Sequence, residues 1–428
     1  MNTYNQITKA QLLSMLSAGE SLIDVDIKGA QLHGIQLENT SFSGLDLEGV
    51  VLHGAVLTNI DFTDSCLKKA VLIDAKLIDC KLEKADLSDA DLTNCQMKNT
   101  KAALANFTRA KLSKANLSKS DLREAIFKEA NLEQADLTCT LIEKAVFEKA
   151  EMKRANLSDA EGVECDFSLA NMYRTKATNL KAESSSFKDA VLTKADLTNS
   201  FLRSGDFDGC MAVDALFKES DMNSCTLTNG NFEGTDFFNC ELSYANFLRS
   251  NIERADFSEA LMNNAEMEYV SGEAANFTNA NISESNLQGS DLSYGDFTQA
   301  TLTSINGANA NFEYSQVEDA DFSKADFDTT HLSGLVGKNV NFTEINAQET
   351  DFSSSNIPGA DFSESDIKES DMSGINMKGG FISNTEFITV NLSNAILENV
   401  SHDHVLFSDM NFDSVVADSD LKAKIDSL

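Results

Sequence analysis

The chain has 428 residues, no Trp, one Pro and a formal net charge of -34. An acidic excess of that size repels nucleic acid and anionic membrane, so the expected partner is a protein with a basic surface, and no direct nucleic-acid contact is expected. No apolar run reaches the ~20 residues needed to cross a bilayer, and Met1 to Gln6 lack the charged-then-apolar pattern of a secretory signal; the expected location is cytoplasmic, with signal-independent export as an effector as the other route.

The first predicted element is a short helix from about Thr8 to Ala18. Thr8-Lys9-Ala10-Gln11 fits a capping box, Leu12, Leu13, Met15 and Leu16 supply an apolar face, and Gly19 is a C-terminal stop. Residues 1–20 are therefore expected to cap the repeats that begin just after them.

From Leu22 the chain repeats every five residues. Ile27, Leu32, Leu37, Phe42 and Leu47 begin a register that reaches Phe412 without a slip, and about 69 of about 79 such positions carry Leu, Phe, Ile, Met or Val. The exceptions include Ala102, Gly162, Ala177, Ala182 and His402. Neither a period of 3.6 nor one of 2 can hold this register, so the reading is an all-β solenoid over 21–417 with one large residue inward per short side. Two residues before each large one sits a small one, such as Ala85, Ala90 and Ala115, which leaves room for it in a close-packed interior. The residue between them is commonly Asp or Asn and is expected to face water.

Phe107, Phe127, Phe147, Phe167, Phe187 and Phe207 recur at twenty residues, as do Phe217, Phe237, Phe257, Phe277 and Phe297. Stacking of like side chains between turns then requires four sides per turn and about 20 turns. Between 162 and 186 three large positions are lost, and a kink or bulge is expected there.

Six of the eight cysteines (Cys80, Cys95, Cys165, Cys210, Cys225 and Cys240) occupy the small inward position, as buried core residues. There is no Cys-x-x-Cys pair, and His33 and His53, one turn apart, are too few to hold a metal, so no metal or cofactor is assigned. His402-Asp403-His404 reads as a loosening of the repeat near its end. No phosphate-binding glycine loop, Gly-x-Ser-x-Gly or His-Glu-x-x-His is present, so no enzyme is expected.

Charge is uneven. Residues 1–200 carry about 24 Lys plus Arg against about 29 acids, and 201–428 about 10 against about 39. In the first half Lys69, Asp89, Arg109, Glu129 and Lys149 alternate in sign turn by turn, as ion-pair ladders would. In the second half Asp351 and Asp371 stack, and Asp321 and Asp361 lie two turns apart on a side taken to be the neighbouring one. These four form the candidate acidic face for a partner. Residues 418–428 begin a last helix at Ser419, whose Leu421, Ile425 and Leu428 share one face, either as a second cap or as the contact of a homodimer.

The quintets Ala85-Asp86-Leu87-Ser88-Asp89, Ala90-Asp91-Leu92-Thr93-Asn94 and Ala115-Asn116-Leu117-Ser118-Lys119 resemble the A(D/N)LXX signature of the pentapeptide-repeat family, and the likeness covers about 20–416. The resemblance implies a right-handed quadrilateral β-helix. It implies a binding role rather than catalysis. Some family members imitate DNA with an acidic rod, bind DNA gyrase and pair through C-terminal helices; others serve bacterial secretion systems. Gly19-Glu20-Ser21-Leu22 is similar to the entry of arrays associated with type VI secretion. The expected function is a non-enzymatic scaffold or adaptor linked to secretion, with a gyrase-binding DNA mimic as the alternative.

Overall fold

The structure is a computed structural model that describes residues 6–427. One quintet shows why the sequence coils. In Asp86 to Ala90, Leu87 and Ala90 are fully buried, and Asp89 takes φ 59°. The Ala90 N–H closes on the Leu87 carbonyl at 3.1 Å. A positive φ at the third residue of such a turn defines type II geometry. The left-handed residue costs roughly 1–2 kcal/mol when it is not glycine, and the bonds between coils offset this.

Those bonds account for every N–H of the quintet. Asp86 N donates back to Ser65 O at 2.9 Å, Leu87 N forward to Asn106 O at 2.8 Å, and Asp89 N to Thr108 O at 3.0 Å. The last donor, Ser88 N, is taken by the Asp86 side chain, Oδ1 at 2.9 Å. With no unpaired donor left, the quintet can be repeated indefinitely. Asp and Asn recur at the bridging position because their short side chains place an acceptor two residues on.

Four consecutive bridges, Asp86 to Asn106, Asp91 to Lys111, Gln96 to Asn116 and Lys101 to Asp121, mark the four sides of one turn. All are parallel and join residues twenty apart. This is a parallel β-solenoid, and the turns number about 19. The chain divides into two compact units, one ending at Met211 and one beginning at Ala212. In the first, β1 (Gln36–Glu38), β2 (Val56–Thr58) and β3 (Lys76–Ile78) widen one side into a three-stranded sheet. In the second, β4 (Asn346–Gln348), β5 (Asp366–Lys368) and β6 (Glu386–Ile388) do the same, with β8 (Leu406–Ser408) as the outer strand; β7 (Ile396–Leu397) pairs with β9 (Val416–Ala417).

Each unit has its own aromatic spine. Phe107 to Phe207 stack in the first with centroids 4.6–5.0 Å apart. Phe217 to Phe297 stack in the second at 4.8–5.3 Å. Where the small inward residue is Ser or Thr, its hydroxyl is tied to the backbone: Ser65 Oγ donates to Phe62 O at 2.7 Å and Thr140 Oγ1 to Leu137 O at 2.7 Å. Polar atoms thus enter the core without being left unpaired.

The kink or bulge expected near 162–186 reduces to one opened turn. Bridges from Asn156 to Lys176, Glu161 to Lys181 and Asp166 to Ser186 continue unbroken. A Cβ on Gly162 would fall 2.7 Å from the Ile142 backbone and 2.9 Å from Cys165 Sγ, so the coil is tight here rather than thinned. The Cys165 N–H leaves its own turn and donates to Ser185 Oγ at 3.0 Å.

Helix α1 (Lys9–Ala18) starts at Thr8, whose side chain accepts from Gln11 N at 3.2 Å while Gln11 Oε1 accepts from Thr8 N at 2.8 Å. Gly19 ends it at φ 69°. Only Leu12 is fully buried; Met15 and Leu16 are half-buried and Leu13 is exposed. Lys9 Nζ donates to His33 O at 2.9 Å and ties the helix to the first coils. Helix α2 (Ser419–Ile425) follows Asp418, whose carboxylate accepts from Asn399 N at 2.6 Å.

Candidate partner-binding surface

Asp321, Asp351, Asp361 and Asp371 all occupy the bridging position and are half-buried. Each accepts a backbone N–H, from Ser323, Ser353, Ser363 and Ser373 respectively, at 2.8–3.0 Å. Asp321 and Asp371 also receive an amide from the next coil, Asn341 Nδ2 at 2.8 Å and Asn391 Nδ2 at 3.0 Å. These carboxylates hold the fold as well as facing out.

They do not form one face, nor do the two pairs lie on neighbouring sides. Asp321 and Asp361 share a side through Asn341, and Asp351 bridges Asp371. The thirty residues from 321 to 351 are one and a half turns, which sets the two pairs on opposite sides of the coil.

The exposed acids of the second unit are elsewhere. Glu344, Glu349, Glu364, Glu369 and Glu386 are exposed around β4, β5 and β6. Lys324 Nζ lies 3.7 Å from Glu344, and Lys368 Nζ lies 2.6 Å from Asp366. Their signal in the sequence was Glu at the second turn position of two pairs of successive quintets, 344 with 349 and 364 with 369, while Glu386 stands at a bridging position.

In the first unit the ion pairs are partly within a row and partly between rows. Arg109 grips Asp89 with two nitrogens at 2.8 and 2.9 Å, which holds the Asp89 carboxyl below its usual range. Lys69 instead meets Glu48 at 3.5 Å, and Lys149 meets Glu148 at 3.3 Å together with Lys128 at 2.5 Å. The expected sign alternation along one row is therefore realised in only one link of that row. The Asp121 carboxyl is likewise held down, chiefly by its hydrogen bond from Arg123.

Burial raises the core thiols, Cys80 to about 11 and Cys165 and Cys240 to about 12. Cys139 is exposed and Cys66 half-buried. His33 and His53 meet edge to face with ring centroids 6.4 Å apart, and His33 Nε2 lies 3.1 Å from Gln31 Oε1. His402 is partly exposed, with Nε2 3.8 Å from Asp420 Oδ2. Among the described residues no group of three or more His, Cys, Asp or Glu is arranged to hold a metal ion.

A hollow of about 780 Å³ lies where α1 meets the first coils. Leu13, Leu16, Ile23 and Leu37 line it, with Glu20 and Glu38 as its ionisable groups. It contains no pairing of nucleophile and base. Of the residues assigned to a C-terminal contact, Leu421 is buried within its own chain and unavailable to a partner, Ile425 is half-buried, and Leu428 lies outside the described residues. Among the described residues no helix is long and apolar enough to cross a membrane.

The family description "Pentapeptide repeats" matches eight stretches, 30–68, 70–102, 104–138, 215–254, 255–293, 273–306, 296–334 and 338–374, together more than half of the chain. No curated protein matches. Among solved structures, HetL, a pentapeptide repeat protein involved in heterocyst differentiation regulation in the cyanobacterium Nostoc, is 18% identical; the match covers 78% of this chain and 98% of HetL, with a TM-score of 0.16. A trypsin-treated form of QnrB1, a plasmid-mediated fluoroquinolone resistance protein, is 16% identical over 44% of this chain and 89% of its own, with a TM-score of 0.18. The alginate lyase AlyGC is 8% identical over 96% and 99%, with a TM-score of 0.23. At these scores none of the three carries an argument about this chain.

Proposed function

Because the chain belongs to the pentapeptide-repeat family, which shares an architecture and no common reaction, we propose that it is a non-enzymatic scaffold that binds a protein partner through its outward rows. The observation that carries this reading is the division of labour within the quintet. Three positions are committed to the core and the coil bonds, while the two turn positions are left to vary. In the second unit the second turn position carries Glu344, Glu349, Glu364 and Glu369, exposed around β4 to β6. An acidic side of this kind suits a basic protein surface and steers its approach.

Helices α1 and α2 serve in this reading as caps that keep the end coils from pairing with foreign strands. The burial of Leu421 in its own chain supports the cap over the homodimer contact for α2. The similarity of Gly19-Glu20-Ser21-Leu22 to secretion-associated arrays favours an adaptor of a secretion or effector system, made in the cytoplasm. The test is capture by the immobilised full chain from its native cell, with Glu349→Gln/Glu369→Gln as control. A partner held by the wild type and released by the variant is expected; no retained protein would refute the scaffold.

The acidity of the second unit also favours a second reading, a DNA mimic that binds gyrase. Supercoiling by gyrase that is unchanged by a stoichiometric excess of the full chain would reject it.

A further inference from the structure

Lys114, Arg154 and Arg174 stand one above another at a single corner of the first unit, on turn residues with φ 60°, 56° and 56°. All three are exposed, and the position between the first two is the neutral Gln134. Several neighbouring cations are neutralised: Lys111 meets Asp91 at 3.4 Å, Lys144 meets Glu164 at 3.7 Å, Lys153 meets Glu151 at 3.1 Å and Lys181 meets Glu161 at 2.6 Å, while Lys119 and Lys176 are exposed beside the row. Among the described residues Lys114 and Arg154 take part in no such pair, and the Arg174 guanidinium rests 5.2 Å from the Tyr173 ring. A chain of net charge -34 thus keeps a line of cations outside its ion pairs, and the acid on the intervening turn, Glu133, faces the Gln134 side-chain amide at 3.4 Å.

We propose that this row docks against the acidic side around β4 to β6, Glu349, Glu364, Glu369 and Glu386, of a second copy of the same chain. Charge complementarity supplies the attraction, and pitch selects the partner. Row and acidic side are both built on the coil rise of ~4.8 Å, so Arg154 and Arg174 on consecutive coils match the spacing of Glu349 and Glu369 on consecutive coils. An extended acidic peptide repeats its same-face side chains at ~6.8 Å and drifts out of step within two or three contacts. The fold already pairs charges at this pitch within itself, as Asp89 and Arg109 show. The proposal is independent of any outside partner.

Whole-molecule repulsion opposes the contact at long range. At ionic strength near 0.1 M, where the screening length is ~10 Å, that repulsion is damped while contacts at hydrogen-bond distance persist; near 1 M, with ~3 Å, the contacts are screened as well. Sedimentation velocity of the full chain is expected to show concentration-dependent association near 0.1 M and monomer near 1 M.

Arg154→Glu/Arg174→Glu, and separately Glu349→Arg/Glu369→Arg, should each weaken association by about tenfold or more. Circular dichroism of both variants should match the wild type. Mixed together they should associate again, because each reversed surface then faces its complement. Three results overturn the proposal: a wild type that is monomeric near 0.1 M, single-surface variants that still associate alone, or a mixture that stays monomeric. A monomeric wild type retained by an anionic polymer would assign the row to a polyanion instead.

Discussion

Replacing Phe147 tests whether the aromatic spine is a cooperative element or a series of separate side chains. Its ring is fully buried, 5.0 Å from Phe127 and 4.9 Å from Phe167, with planes within 3° of both. Phe147→Leu keeps most of the apolar area, so its cost divides between lost packing volume and two lost ring contacts. Truncation of a buried Phe to Ala costs about 3–5 kcal/mol; the leucine variant should fall below that, at about 1–3 kcal/mol. The informative quantity is the coupling with Phe127→Leu. Aromatic pairs contribute about 0.5–1.5 kcal/mol beyond burial, and near-parallel rings held at the coil spacing belong at the lower end. Because long repeat arrays need not unfold in one step, the assay is native-state exchange of the Phe127 and Val146 amides, which lie in the coils joined by this contact. Single and double variants should couple by about 0.5 kcal/mol or more. Additivity within about 0.3 kcal/mol would mean that the spine is packing without ring–ring preference.

Asp86→Ala deprives Ser88 N and Asn106 Nδ2 of their acceptor and should cost about 1–3 kcal/mol in thermal unfolding, whereas Asp86→Asn should cost much less, since its carbonyl keeps the Ser88 bond. Gly162→Ala places a Cβ against the Ile142 backbone and should destabilise by about 1–3 kcal/mol, visible as faster exchange of the Glu161 and Gly162 amides. At mildly alkaline pH a thiol reagent should label Cys139 and, more slowly, Cys66; Cys80, Cys165 and Cys240, raised by burial, should react only after denaturant is added. Asp89 and Asp121 have folded pKa values below their unfolded ones, so the stability they contribute is present above the unfolded values and is lost as pH falls through the folded values. Acid titration followed by circular dichroism should show Arg109→Gln losing less stability than wild type across that acidic window.

The coil was legible because inward positions are constrained at every turn. Leu87 and Ala90 each repeat a choice made many times over, and the Phe107 to Phe207 spacing reports the turn length directly. What was missed is the reason for Asp86: periodicity marks it as outward, yet its role is to accept a backbone N–H two residues on, which only hydrogen-bond accounting reveals. The acidic face was misplaced by phase. Asp321 and Asp351 look like near neighbours along the chain, but thirty residues is half a turn out of step with a twenty-residue coil. Gly162 misled in the other direction, since an absent side chain can mark a tight approach as well as a gap. The row of Lys114, Arg154 and Arg174 was visible as letters, but only the ion pairs around it distinguish those cations from the neutralised ones.

The twenty-residue turn also governs how such a surface can change over generations. Loss or gain of a single quintet leaves the large and small inward positions in phase, so the interior still closes. Every later residue of the same unit is nevertheless carried a quarter turn around the coil, and each later row of that unit faces a new direction. Indels of five residues therefore re-aim recognition while keeping the inward register, at the cost of one ring stack where they fall within a spine, and indels of twenty lengthen or shorten a unit without re-aiming it.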